Sequence, residues 1–349
     1  MEVRKAIFIC GVGAVSPAGW GVRALRESLA RGQPLPLKEL PRPGWSEPLR
    51  VRAVPPPSAR PGFLSHARLR RTSPIAQQSV AAALEALGED AARVADGSSR
   101  LGVVLCVMSG CVNYSRRFYD EVLKDPVTAS PLVFPETVFN APASHLAALL
   151  GTTAINYTLV GDPGAFLQGL ALAADWLLSE RVEACVVIGA EEMDWLTSDA
   201  YRLFNRRAVL SDGAGALYLK RRANQVPAVE LREVTQAHLF SNRQTRAEAA
   251  RRARDELGPG GPDRLLCDGL QGLPRLDRAE ELAWRDWLGA RLSPKAVLGE
   301  GLMAAAAWQC VAAIDALREG HYAAANVSIV GCNQQAIGAQ FATNSCASS

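Results

Sequence analysis

The feature that most constrains the fold is a helix that must be buried on nearly every side. Gly161-Asp162-Pro163 is a strong helix-start signal, because aspartate accepts hydrogen bonds from the free N–H groups of a first turn and proline suits the first helical position. The segment that follows, Leu167–Leu178, is apolar except at Gln168 and Asp175. A helix that is apolar all round lies inside a large domain, and the strand-like run Glu183–Gly189 follows it directly.

Length and composition agree with a large buried core. The chain has 349 residues and 48% hydrophobic content, which fits two fused halves better than one small domain. Its net charge of +3 does not indicate a nucleic-acid partner. No apolar run is long enough to span a bilayer, and the N-terminal residues lack the form of a signal peptide. The eight cysteines show no paired metal spacing and indicate buried free thiols, so we expect no metal, no cofactor and a reducing, cytoplasmic setting.

The central segment carries a family resemblance. Tyr157-Thr158, the turn and helix after it, and the run Val186–Glu191 resemble the central part of β-ketoacyl synthases, which have the thiolase fold. In that family a cysteine nucleophile begins the buried helix, where the helix dipole and free amides lower the thiol pKa and stabilise an oxyanion. Aligning the pattern without gaps puts Pro163 at the position of the cysteine.

The resemblance covers almost the whole chain and implies its architecture. We expect an α/β fold, a thiolase-like five-layer α/β/α/β/α sandwich of two pseudo-repeated halves, with boundaries at 1–222 and 223–349. Residues 33–62 are proline-rich and are predicted to form a surface excursion. The glycines of Gly11–Gly19 lack the G-x-G-x-x-G spacing, and we expect them to form a tight strand-to-helix connection rather than a phosphate site.

The motifs of the second half keep their spacing but lack the catalytic histidines. Asp268 takes the position of the first catalytic histidine, and Glu300 takes that of the second, whereas the lysine of the second motif is kept as Lys295. The run Val327–Gln335 replaces the loop that carries the family's phenylalanine gate.

These substitutions remove what a decarboxylating condensation requires. The reaction needs a thiolate and neutral imidazoles that donate to a developing enolate oxygen. Pro163 offers neither a nucleophile nor an N–H, and two carboxylates would oppose the anionic enolate. The simplest interpretation of Lys295 beside Asp268 and Glu300 is a buried ion cluster. Acid–base work by the paired carboxylates is the alternative.

A ketosynthase-like chain without its nucleophile resembles a chain-length factor. Such a subunit would pair with an active ketosynthase as a heterodimer, close the end of the acyl tunnel and receive substrate on the phosphopantetheine arm of an acyl carrier protein. The stretch Ser130–His145 matches the family's interface and pocket region, so Phe134 and Phe139 are candidates for the tunnel or interface. Two alternatives stay open: a repurposed hydrolase or acyltransferase using Asp268, Glu300 or Lys295, and a homodimeric scaffold.

Two arginine clusters are candidates for carrier-protein docking. Carrier proteins are acidic, and basic patches steer acidic partners. One cluster is Arg68, Arg70 and Arg71, and the other is Arg251, Arg252 and Arg254. A solvated helix face is the alternative for both.

Overall fold

Strands and helices alternate along most of the chain. The computed structural model describes residues 6–153 and 155–344. Its strands are β1 (Ile7–Ser16), β2 (Gly19–Trp20), β3 (Lys38–Leu40), β4 (Leu49–Arg52), β5 (Leu101–Val107), β6 (Ile155–Val160), β7 (Ala184–Glu191), β8 (Leu210–Ser211), β9 (Gly213–Lys220), β10 (Ala228–Val234), β11 (His238–Leu239), β12 (Arg264–Cys267), β13 (Ala290–Leu292), β14 (Ala324–Val330) and β15 (Gln335–Asn344). Its helices are α1 (Val22–Arg31), α2 (Pro74–Leu87), α3 (Asp90–Ala95), α4 (Val112–Lys124), α5 (Ala141–Leu150), α6 (Ala165–Leu178), α7 (Trp195–Tyr201), α8 (Arg243–Glu256), α9 (Pro274–Ala283), α10 (Pro294–Leu298) and α11 (Met303–Arg318), with 3₁₀ turns at Gly62–Ser65 and Phe134–Glu136.

Two half-sheets share one strand order. The first runs β6-β5-β7-β9-β1 and the second β13-β12-β14-β15-β10. In both, the first three strands are parallel and the last two join antiparallel. This repetition is the pseudo-repeat expected from the sequence. Strands β1 and β10 also pair with each other, so one continuous sheet crosses the predicted boundary between residues 222 and 223, and that boundary stays a prediction.

Helices α6 and α11 form the middle layer. Helix α11 packs against β9 and β7 on one side and against β14 and β12 on the other. Residues of the same strand face different layers: Val104 and Cys106 of β5 belong to the central core, whereas Val103 and Leu105 pack under α2 and α5. A separate core lies beneath α8 and α9. The five-layer α/β architecture is therefore confirmed. Helix α6 packs in its middle layer, but Gln168, Ala171 and Asp175 are exposed along one face, so the expectation of burial on nearly every side holds only in part.

Two of the glycines in Gly11–Gly19 have a different role from the one expected, whereas Gly19 lies in the connection between β1 and α1 with a φ of 133°. Gly11 and Gly13 lie inside the extended strand β1, not in a turn to a helix. A Cβ at Gly11 would lie 1.7 Å from the carbonyl oxygen of Ala86, and one at Gly13 would lie 2.0 Å from that of Ala82. Only glycine therefore allows α2 to pack this closely on β1.

The proline-rich excursion carries two short strands. Strands β3 and β4 pair with each other and with β8, outside the main sheet. In the described part of the chain, seven cysteines are free thiols, and no helix is long and apolar enough to cross a membrane. Cys346 and the first five residues, on which the signal-peptide prediction rests in part, lie outside the described residues.

Candidate functional site

The turn from β6 into α6 is tied to the segment between β14 and β15. The buried Asp162 carboxylate accepts hydrogen bonds from the backbone N–H groups of Cys332 (3.0 Å) and Gln335 (3.2 Å). The expectation that Asp162 caps the first turn of α6 is therefore wrong, because its carboxylate binds this second segment instead. A Cβ at Gly331 would lie 1.5 Å from Asp162 Oδ2, so glycine is required for this close approach.

Pro163 is buried in the turn before α6, which begins at Ala165, so it does not take the first helical position that the sequence indicated. Its carbonyl oxygen accepts a hydrogen bond from the N–H of Phe166 at 3.2 Å. It has no N–H of its own and no titratable group. The residue that the sequence alignment predicts at the family's cysteine position therefore supplies neither a nucleophile nor a hydrogen-bond donor.

Lys295 and Glu300 form a buried ion pair. Lys295 Nζ lies 2.9 Å from Glu300 Oε2, and the two side chains are 4% and 3% exposed. Burial by itself would lower the pKa of Lys295, but the carboxylates of Glu300 and Glu280 outweigh it and hold that pKa above its ordinary value. Lys295 is thus a charged partner of Glu300, the residue that the sequence predicts at the second histidine position.

Glu300 has further donors besides the lysine. Its carboxylate accepts from Gln271 Nε2 and from the N–H of Leu302, both at 2.8 Å. Leu302 has a φ of 50°, a left-handed conformation that is strained for a residue with a branched side chain. The carboxylate therefore also fixes the strained backbone that leads into α11.

Asp268 lies at the end of β12, next to this pair. Its Oδ1 accepts from Ser293 Oγ at 2.5 Å and from the N–H of Leu270 at 3.3 Å, and Arg291 Nη1 lies 3.7 Å from its Oδ2. Burial raises the pKa of Asp268, although these three groups oppose the rise. No contact shorter than 4 Å joins Asp268 to Lys295 in the described chain, so the expected three-member cluster is only partly formed by direct contact.

Glu280 of α9 is a member of the site that the motifs did not reveal. It accepts from the N–H of Gly269, and burial together with the nearby Asp268 raises its pKa to about 7. A Cβ at Gly269 would lie 3.1 Å from Glu280 Oε2 and 3.7 Å from Lys295 Nζ, so the carboxylate and the ammonium group both lie next to Gly269. The helical periodicity of α9, which places Glu280 on the same buried face as Asp277 and Ala283, is the sequence signal that could have identified it.

Side chains fill the space at the centre of the site. Tyr201, Gln271, Glu300 and Cys332 surround a void of about 10 Å³, which is about the least that one water molecule needs. The Tyr201 hydroxyl lies 3.5 Å from Glu300 Oε2 and closes one side. Burial raises the pKa of the Cys332 thiol, as do Asp162 and Glu300 nearby, so this cysteine stays protonated and is a poor nucleophile.

The two candidate tunnel residues lie at the surface of the chain. Phe134, in the 3₁₀ turn, is 55% exposed and its ring packs 5.4 Å from that of Phe118. Phe139 is 41% exposed and covers Gly110 at the end of β5. Neither ring belongs to a core of this chain. That either faces a tunnel stays a prediction.

The two predicted docking clusters lie on opposite outer layers. Arg68, Arg70 and Arg71 are exposed in the turn before α2. On α8, Arg251 and Arg252 are exposed, but Arg254 pairs with Asp255 at 3.1 Å and with Asp286 at 2.6 Å. The structure does not bring these clusters together, and docking at either of them stays a prediction.

Several solved structures share the fold. A type II polyketide synthase acyl-carrier protein in complex with its ketosynthase bound to the hexaketide matches with a TM-score of 0.77 and 16% identity, covering 98% of this chain and 100% of that one. The ishigamide ketosynthase/chain length factor matches at 0.76 and 19%, covering 97% and 99%. A β-ketoacyl synthase from Burkholderia phymatum matches at 0.79 and 15%, covering 97% and 100%. At these identities the matches show the fold alone.

The sequence comparison supplies the family. No curated protein sequence matches the chain. The family model for the β-ketoacyl synthase N-terminal domain, however, matches residues 4–224, which is more than half of the chain. The chain therefore belongs to the β-ketoacyl synthase family.

Proposed function

We propose that this chain is a non-catalytic ketosynthase-like subunit of the chain-length-factor kind. The observation that carries the proposal is the filled site: the buried Lys295–Glu300 pair, Gln271 and Tyr201 leave a void of about 10 Å³, and the turn before α6 carries Pro163. A condensing site needs a thiolate, neutral donors to an enolate and room for the acyl group. Each of these three requirements is opposed by particular residues of this chain.

An exposed apolar surface supports a partner subunit. Val127, Leu132, Phe134, Val138 and Phe139 lie between α4 and α5 and are 92%, 76%, 55%, 41% and 41% exposed. Apolar patches of this kind mark protein–protein interaction sites. We infer that the partner is an active ketosynthase, and that the two rings close the tunnel in which its acyl chain grows.

The free strand β6 extends this surface. Among the strands of the described residues it pairs with β5 alone, and Tyr157 and Val160 on it are 47% and 53% exposed. An edge strand with unpaired backbone groups and exposed apolar side chains is a template for pairing with another chain. The partner's substrate would arrive on the phosphopantetheine arm of an acyl carrier protein in type II polyketide, polyene or fatty-acid-like synthesis.

The experiment is co-purification with an intact ketosynthase. Gene context supplies the candidate, since an adjacent ketosynthase with cysteine and histidines and an adjacent carrier protein would be the natural partners. Native mass spectrometry of the tagged chain should give a one-to-one complex, and products should appear only when both subunits are present.

Two results would overturn this proposal. Recovery of a homodimer alone, beside a fully active lone ketosynthase, would favour a homodimeric scaffold. Acyl turnover by the purified chain, lost in Glu300→Gln, would favour a repurposed hydrolase or acyltransferase that uses Glu300 with Asp268 or Lys295.

A further inference from the structure

A cavity of about 270 Å³ lies between helices α1 and α11 and the strands β12 and β13. Most of its lining is apolar and continuous with the central core. Ala312 and Ala316 lie one turn apart on the same face of α11, and their short side chains leave the space open. The aliphatic lining consists mainly of Leu25, Leu29, Leu265, Leu292, Ala312 and Ala316.

The cavity is separate from the site of Lys295 and Glu300, since neither of these residues lines it. Strand β13 connects the two. The carbonyl oxygen of Leu292, a residue that lines the cavity, accepts a hydrogen bond from the N–H of Asp268 at 3.0 Å. A molecule bound here would therefore contact the strand that supports Asp268 without entering the filled site.

The guanidinium and carboxylate groups that line the cavity are already paired. Arg26 contacts Asp315 at 2.6 Å and Glu319 at 2.9 Å, and these pairs tie α1 to α11. Arg291 Nη1 lies 3.7 Å from Asp268 Oδ2. A charged ligand would lose its hydration here without meeting a free counter-charge, so the lining favours an uncharged ligand.

Two neighbouring aromatic residues add a polar end to the cavity. His321 and Tyr322 both line it, and their ring centroids are 6.3 Å apart in an edge-to-face arrangement. Within residues 155–344 and 6–153, the Tyr322 hydroxyl makes no hydrogen bond. Aromatic rings pack favourably against a further ring, and a free hydroxyl can both donate and accept. These residues favour an aromatic ligand with one hydrogen-bonding group.

The volume sets the size of that ligand. A cavity of about 150 Å³ takes up benzene, so about 270 Å³ has room for two fused rings. A concave, mostly apolar lining with a few polar groups is the usual form of a small-molecule site.

We propose that this cavity binds an uncharged aromatic molecule of two fused rings that carries a hydroxyl group, with the hydroxyl bonded to Tyr322. The site lies within the single chain. The inference therefore goes beyond the proposed function, because binding requires neither a ketosynthase nor a carrier protein.

The test is a fluorescence titration of the full chain with β-naphthol at neutral pH, where this probe is uncharged. We expect one saturable site with a dissociation constant below about 1 mM, and binding of the anion β-naphthoate that is at least about tenfold weaker. Ala316→Phe places a ring in the cavity and should abolish binding. Ala92→Phe, at an exposed alanine of helix α3, is the matched control and should bind as the unchanged chain does.

A second variant tests the hydroxyl without changing the packing. Tyr322→Phe should weaken the binding of β-naphthol about three- to tenfold, since one hydrogen bond is lost. Tyr119→Phe, at an exposed tyrosine of α4, should leave the affinity unchanged. Circular dichroism checks the folding of all variants.

Five results would overturn the inference. They are the absence of saturable binding, equal affinity for β-naphthoate, unchanged binding in a folded Ala316→Phe protein, unchanged binding in Tyr322→Phe, and an equal loss in Phe134→Ala, which would place the probe on the exposed apolar surface instead. All are measured on the chain alone, so none of them bears on whether the chain pairs with a ketosynthase.

Discussion

The buried ion pair between Lys295 and Glu300 gives the sharpest test of the site's structural role. Glu300→Gln keeps the size of the side chain, and its one amide oxygen can still accept from the N–H of Leu302. The amide nitrogen that replaces Oε2 no longer accepts from Gln271, and the charge that Lys295 faces 2.9 Å away is removed. Because Glu300 is the one hydrogen-bonding partner of the Lys295 ammonium in the described chain, the variant leaves a buried cation poorly compensated. Breaking such a pair costs about 3–5 kcal/mol.

The expected shift in melting temperature follows from chain length. At about 2.1 cal/mol/K per residue, 349 residues give an unfolding entropy of about 0.7 kcal/mol/K. A loss of about 3–5 kcal/mol then lowers the melting temperature by about 4–7 °C. Differential scanning calorimetry at neutral pH measures this shift directly. Glu27→Gln, in the exposed pair with Arg23, is the matched control and should leave the melting temperature unchanged.

The pH dependence of the variant has a defined sign. Without the carboxylate of Glu300, burial lowers the pKa of Lys295 in the folded state, so the unfolded chain binds more protons. The destabilisation of Glu300→Gln should therefore shrink as the pH rises from about 7 toward about 9. Adding Lys295→Met should recover part of the loss. A Glu300→Gln protein as stable as the unchanged chain, or a double variant less stable than the single one, would refute the ion-pair reasoning.

Four further outcomes are expected. Pro163→Cys alone should give no condensation with malonyl carrier protein, because carboxylates still occupy both histidine positions; measurable turnover would show that this view of them is wrong. Phe134→Ala and Phe139→Ala should leave the heterodimer assembled and lengthen its products, since both rings are exposed in the single chain; mass spectrometry showing unchanged products from both would exclude this stretch from chain-length control. Burial raises the pKa of Glu192 from 4.5 to about 7, so the folded state binds more protons than the unfolded state between these two pH values. The melting temperature should therefore fall as the pH rises from about 5 to about 7, and it should fall less steeply in Glu192→Gln. Asp162→Ala should speed amide hydrogen exchange at Cys332, because the N–H of Cys332 donates a hydrogen bond to the Asp162 carboxylate. Unchanged exchange at Cys332 would contradict this contact.

The sequence was sufficient for the fold because the fold depends on patterns that repeat. The apolar helix that begins after Pro163 predicted a buried middle layer, and the structure places it there. The second half repeats the strand order of the first, as the resemblance implied. Gly11 and Gly13 show the limit of motif reasoning, since a glycine in a turn and a glycine beneath a packed helix look the same in a sequence.

The site could be predicted only where a motif placed a residue in it. Lys295 and Glu300 lie close together in sequence and in one motif, and their contact is observed. Glu280 and Tyr201 come from helices without a motif and reach the site through tertiary packing alone. Asp162 was expected to serve its own helix, yet its carboxylate binds backbone 170 residues farther along the chain. Such long-range contacts depend on how the two half-sheets meet, which local sequence does not encode.

The central claim is that the chain contributes structure and not chemistry to a ketosynthase complex. The most direct test is mass spectrometry of the acyl chains formed from malonyl carrier protein by this chain alone, by an intact partner ketosynthase alone, and by the two together. The account predicts no acyl product from this chain alone and products of defined length from the one-to-one complex. Condensation products made by the purified chain without any partner would contradict it.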